Sequence, residues 1–173
     1  MKKRILVLLS VMMCLLLGAC SGGSMVSVDC GDFTIQCPRS WNMKIPEDVK
    51  PGEPIAQIHL PEQDNYTSNI VITVQGVSGL KAEDFTEDYA QDLVDTSIES
   101  TGVQFTLTSC EHITLGTRAA VLIRYSGEKD GHNIVISEQL IPMADRLYRI
   151  TFNRLNDSDA EAMDAAMASV AFK

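Results

Sequence analysis

Aromatic residues make up only 6% of this 173-residue sequence, with one tryptophan, Trp41, and three histidines, His59, His112 and His132, far apart along the chain. That scarcity removes H-E-x-x-H and the other closely spaced histidine signatures of metal hydrolases. Cations are also few. Lys plus Arg number 14 against 23 Asp plus Glu, a formal charge of -9. A body so acidic lacks the clustered cations that phosphate contacts need, so nucleic acid is excluded as a partner. No pair of C-x-x-C motifs, no C-x-x-C-H and no internal repeat occurs. Gly76-Val77-Ser78-Gly79 places its second glycine one residue early for a nucleophile elbow. Asp157-Ser158-Asp159-Ala160-Glu161 starts like a calcium loop, but Ala162 stands where the loop requires glycine. Those acids instead suit the first turn of a helix, with Asn156 as its cap. No metal and no cofactor is expected.

Long apolar runs are missing but for one. Lys2, Lys3 and Arg4 precede residues 5–17, of which 12 of 13 are apolar, Ser10 being the exception. The run falls short of the roughly 20 residues of a membrane-spanning helix. Charged start, short apolar core and small residues together describe a secretory signal. Its end, Leu17-Gly18-Ala19-Cys20, resembles a bacterial lipobox. The resemblance implies diacylglycerol on the Cys20 sulfur, palmitate-type acylation and cleavage before Cys20. Removing 19 residues leaves 154 and takes away three cations and no acid, so the formal charge moves from -9 to -12. Such a body is not drawn to anionic headgroups, and the lipid must hold it. The expected organisation is a signal peptide over 1–19, the lipidated cysteine and a flexible Ser-Gly-Gly-Ser spacer over 20–24, and one domain over 25–173. The expected location is the extracytoplasmic side of a bacterial membrane or envelope. The sequons at Asn65 and Asn156 are then incidental.

Cys14 leaves with the signal, so Cys30, Cys37 and Cys110 remain in an oxidising compartment. Residues 33–37 read as a strand, and seven extended residues span about 23 Å. Bridged cysteines lie within about 7 Å, so a Cys30–Cys37 disulfide is disfavoured. Cys37 alternates with Phe33 and Ile35 and reads as a buried small hydrophobe. Cys110 falls with Gln104, Thr106, Thr108 and His112 on the polar face of its strand. Cys110 and His112 form a thiol–imidazole couple, without a third partner in the sequence.

Period-two alternation predicts strands over 25–29, 33–37, 55–60, 69–77, 103–113, 118–125, 133–142 and 146–153, with a loop at 46–54 and a hairpin loop at 127–131. Ile70, Ile72 and Val74 share one face, as do Tyr148, Ile150 and Phe152, and Val103, Phe105, Leu107 and Ile113. Residues 82–101 predict a helix presenting Phe85, Tyr89, Leu93, Val94 and Ile98, stopped by Gly102. Its other face carries Glu83, Asp84, Glu87, Asp88, Asp92, Asp95 and Glu99 with no cation among them, a pattern of a solvated face. Residues 157–168 predict a second helix with Ala160, Met163 and Met167 inward, and Val170 and Phe172 close the core. Neighbouring strands on short connections pair antiparallel, which makes an α+β domain.

The order of these elements resembles the PsbP-like fold, shared by the photosystem II PsbP subunit, the Ran-binding Mog protein and many bacterial lipoproteins. The residues that carry the likeness are Phe33-Thr34-Ile35 before Pro38-x-x-Trp41, the strand Asn69-Ile70-Val71-Ile72-Thr73-Val74, the helix opening Ala82-Glu83-Asp84-Phe85, and Arg146-Leu147-Tyr148-Arg149-Ile150-Thr151-Phe152 ahead of a helix and Ser169-Val170-Ala171-Phe172. It implies an antiparallel sheet flanked by helices, an α/β/α sandwich, and non-catalytic accessory or binding roles. It transfers no site residue. Trp41 reads as core packing. The leading functional expectation is a lipid-anchored envelope module, its partners the bilayer through acylated Cys20 and an envelope protein. The alternatives are a carrier of a small ligand or ion in a cleft between sheet and helix, and an enzyme built from scattered residues.

Overall fold

The computed structural model describes residues 24–50, 52–62, 67–155 and 157–173. Cys20, the signal segment, Asn65 and Asn156 lie outside them. The strands are β1 (Met25–Asp29), β2 (Phe33–Pro38), β3 (Asn42–Lys44), β4 (Pro54–His59), β5 (Asn69–Gly76), β6 (Phe105–Leu115), β7 (Arg118–Lys129), β8 (His132–Pro142), β9 (Arg146–Arg154) and β10 (Ala171–Phe172). The helices are α1 (Glu87–Thr101) and α2 (Ala160–Ala168), with single 3-10 turns at Ala82–Asp84 and Asp157–Asp159. Seven strands form an antiparallel sheet ordered β3-β4-β5-β9-β8-β7-β6, and β1, β2 and β10 form a second, smaller sheet.

Two apolar layers result. On one face of the large sheet, Ile58, Ile70, Ile72, Tyr148, Ile150 and Phe152 meet the small sheet and α2, through Phe33, Ile35, Cys37, Met163, Ala166 and Val170. On the other, Val121, Ile123, Tyr125, Ile136 and Leu140 meet α1 through Ala90 and Val94, with Ala82 and Phe85. The α/β/α expectation therefore holds, with a small sheet beside α2 on the second face. The buried residues of both layers all lie within 28–170. Trp41 is 6% exposed within the first layer. Full burial of a large apolar side chain contributes about 1.5–3 kcal/mol. Aromatic edges tie the small sheet to the large one: Phe33 and Tyr148 rings stand 5.3 Å apart and T-shaped, and Phe172 takes the Arg118 guanidinium at 5.3 Å.

Local chemistry moves several boundaries. The helix predicted from residue 82 begins at Glu87, because Phe85 is extended and the Thr86 hydroxyl caps the helix by accepting from the Tyr89 N–H. Phe85 is buried ahead of the helix, whereas Tyr89 is 37% exposed at its rim. Gly102 ends α1 in the left-handed conformation as expected. β7 and β8 continue to Lys129 and His132, so the predicted five-residue loop shrinks to Asp130-Gly131, both with positive φ, the conformation two-residue hairpins require. β3, too short to alternate, was not anticipated.

The largest departure lies in β6. Its pairing with β7 slips between Leu107 and Ser109, leaving Thr108 as the extra residue of a β-bulge. A bulge exchanges the two faces of a strand. Phe105 and Leu107 face α1; beyond the bulge Cys110 packs in that same layer and Ile113 in the opposite one. Both expectations for the strand, Ile113 grouped with Phe105 and Cys110 grouped with Thr106, fail for this reason.

Where β6 begins, Gly127 faces Phe105. A Cβ there would come to 2.4 Å from the Gln104 carbonyl oxygen and 2.9 Å from the Phe105 ring. Gly127→Ala is therefore expected to destabilise the domain by about 1–3 kcal/mol. Gly76→Ala, where a Cβ meets nothing within 4 Å, should change stability by less than about 0.5 kcal/mol. Urea midpoints of the two variants check the contrast.

Candidate functional site

The face of the large sheet under α1 carries the chemistry. At its centre, in β8, stands Glu138, with a fully buried side chain. Register places Ile123 of β7 and Thr151 of β9 directly opposite it. The same-face diagonals supply its partners. Tyr125 donates its hydroxyl to Oε1 at 2.6 Å, Arg149 donates Nη2 to Oε1 at 2.7 Å, and the Arg149 Nε pairs with Oε2. Such a two-pronged contact satisfies the carboxylate, and the Arg149 side chain is 40% exposed. Ser97 of α1 reaches the Tyr125 oxygen at 3.2 Å, tying helix to sheet.

The shifts in acidity agree with this geometry. Burial pushes the Tyr125 phenol far above the usual tyrosine range, and the Glu138 charge adds to it. Tyr89 is raised by burial first and then by Glu138, against the opposing pull of Arg149. Burial works to lower the pKa of Arg149, but its bonds and charge contact with Glu138 outweigh that and hold it above its ordinary value. All of this keeps protons where they are. A general acid or base needs the reverse.

Two clefts open beside this cluster. One, of about 430 Å³, runs between α1 and β9, lined by Tyr89, Asp92, Leu93, Thr96, Ser97 and Arg149. The other, of about 730 Å³, lies at the C-terminal end of α1. Val103, Phe105, Ile134, Ile136 and Leu155 give it apolar walls. Asn69 and Asn153 sit at its polar side, the Asn153 amide donating to Asn69 Oδ1 at 2.9 Å. Lys129, Asp130 and His132 edge it from the β7–β8 hairpin. The Phe105 ring stands T-shaped on Tyr125 at 5.3 Å, so the Tyr125 side chain links this cleft to the ionic cluster. Both volumes fall within the range of small-molecule sites.

The residues singled out from sequence are not gathered here. Cys30, Cys37 and Cys110 are free thiols. Burial raises Cys30 to about 11 and Cys37 to about 12, so both remain protonated and inert at neutral pH. Cys110 is half-buried against the Phe85 and Thr86 carbonyls, its thiol pushed up by burial and by Glu87 and Glu111. A nucleophilic thiol needs its pKa lowered, and the Cys110–His112 couple loses its case. The acids of α1 are exposed, as a solvated face requires. Asp159 is buried and accepts the Ser68 hydroxyl at 2.5 Å, while the same hydroxyl accepts the Leu155 N–H. It clips the start of β5 to the approach of α2. No three His, Cys, Asp or Glu side chains among the described residues gather as a metal site. No helix among the described residues is long and apolar enough to cross a membrane.

Seven antiparallel strands, α1 on one face, and α2 with a small sheet on the other define a PsbP-like α+β fold. No family model and no curated protein matches the sequence. Solved structures do. The cyanobacterial PsbP of Synechocystis superposes with a TM-score of 0.65 at 12% identity, over 90% of this chain and 96% of that one. LpqN of Mycobacterium tuberculosis, described as involved in cell envelope biogenesis, superposes with a TM-score of 0.59 at 19% identity, over 87% of this chain and 91% of that one. At such identities the likeness is one of fold.

Arg149→Met strands the Glu138 charge in the interior, and is expected to cost about 3 kcal/mol, the low end for a broken buried pair because Arg149 is partly solvated. Glu138→Leu added to Arg149→Met should recover most of that loss. Chemical denaturation of wild type, single and double variants checks it; equal stability of wild type and Arg149→Met would contradict the pairing.

Proposed function

We propose that this protein is a non-catalytic binding module, held at the extracytoplasmic face of a bacterial membrane by acylation of Cys20, and that it takes a small ligand in the cleft at the C-terminal end of α1. The observation that carries the reading is the pairing of that 730 Å³ apolar-walled cleft with an ionic cluster whose groups are already committed to one another. The site offers walls and hydrogen bonds but no activated nucleophile or base. The charged leader, short apolar run and Leu-Gly-Ala-Cys sequence support the anchor. So does the fold shared with an envelope-biogenesis protein.

Cells expressing the full chain are grown with a labelled fatty acid, and the protein is followed through membrane fractionation. Wild type is expected to carry label and sediment with membranes. Cys20→Ser is expected to carry none and to leave the membrane fraction. An unlabelled wild-type protein, or full membrane retention of Cys20→Ser, would contradict the anchor.

A further inference from the structure

The cleft and the end of the chain that leads to Cys20 share one end of the domain. Asn42, His59, Asn69, Asn153 and Ile136 form one cross-strand row over β3, β4, β5, β9 and β8. Three of them, Asn69, Asn153 and Ile136, line the cleft. Three residues before Asn42 in the chain, Arg39 donates its backbone N–H to the Ser24 carbonyl at 2.8 Å. The chain therefore enters the domain at the end of the large sheet where the cleft lies. Cys20 precedes Ser24 by four residues, about 14 Å even when fully extended. A lipid on Cys20 keeps that end of the domain next to the bilayer.

We propose that the cleft binds a single-chain amphiphile drawn from that bilayer, a proposal that rests on the lipid-anchored binding module put forward above. An acyl chain suits the Val103, Phe105, Ile134, Ile136 and Leu155 walls, which offer no polar side chain. The head meets the Asn69–Asn153 amide pair, which supplies both donors and acceptors. Lys129 and Asp130 stand side by side at the edge and cancel in charge, so a neutral hydroxylated head is favoured over a strongly charged one. Leu155 and Asn153 are only half-buried, Leu155 at the margin of the α1-side layer, so removing one wall contact or the amide should weaken binding while the buried centres of both layers stay intact.

Residues 24–173 are titrated by calorimetry with monolauroylglycerol below its critical micelle concentration. One saturable site is expected. Leu155→Arg and Asn153→Leu should each weaken it about tenfold or more, and Lys129→Trp, at an exposed hairpin position, should block the mouth. Thermal melts confirm that each variant is folded, and Lys129→Trp serves where another is not. Dodecyltrimethylammonium should bind at least tenfold more weakly than the glyceride. Absence of saturable binding, binding that all three variants leave unchanged, or equal binding of the cationic probe would overturn the proposal. Each of these leaves fatty-acid labelling at Cys20 untouched, so failure of the ligand assignment and failure of the anchor are separate results.

Discussion

A fully buried carboxylate organises the face on which this protein's candidate site stands. Glu138 sits mid-sheet without exposure, and an unpaired charge there would cost several kcal/mol. Its partners come from strands on both sides, Tyr125 of β7 and Arg149 of β9. The three strands must therefore keep one register for all of these bonds to form at once. Ser97 extends the constraint to α1, fixing where the helix crosses the sheet. Pairing of this kind adds little net stability over a well-packed apolar core. What it provides is a single arrangement of helix and strands.

That arrangement creates the clefts. The smaller one lies where Arg149 of β9, paired with Glu138, faces Tyr89, Leu93 and Ser97 of α1. The apolar one lies where α1 stops at Gly102, with the buried side chains of Val103, Phe105, Ile134 and Ile136 along its wall. Gly127 permits the close approach of the Val103–Phe105 segment to β7. The small sheet and α2 cover the opposite face, where a cavity beside Met163 and Met167 holds about 20 Å³.

Much of this was legible in the residues and some of it could not be. Alternation in Ile70-Val71-Ile72-Thr73-Val74 and in Tyr148-Arg149-Ile150-Thr151-Phe152 announces half-buried strands, and their pairing in the structure is the expected antiparallel one. Cys37 and Trp41 went inward as apolar residues of their kind should. The bulge at Thr108 carries no local signature, since no glycine marks it, yet it reverses the faces of everything after it. The late start of α1 was written in Thr86, a capping residue that the longer helical period concealed. Glu138 did leave a trace, a lone acid in the polar break Ser137-Glu138-Gln139 between Ile134-Val135-Ile136 and Leu140-Ile141, and Arg149 another between Tyr148 and Ile150. Joining the two requires the β8–β9 register, which no single strand contains.

The same reasoning confines ligand to one layer of the molecule, and methyl-resolved NMR on residues 24–173 reads that directly. On titration with monolauroylglycerol, the Ile134 and Ile136 methyls should shift together with Val103 and Leu155, while those of Ile35, Ile58, Ile70 and Ile72 in the opposite layer stay in place. Shifts centred on the second group, or none in the first, would contradict a binding site at the C-terminal end of α1.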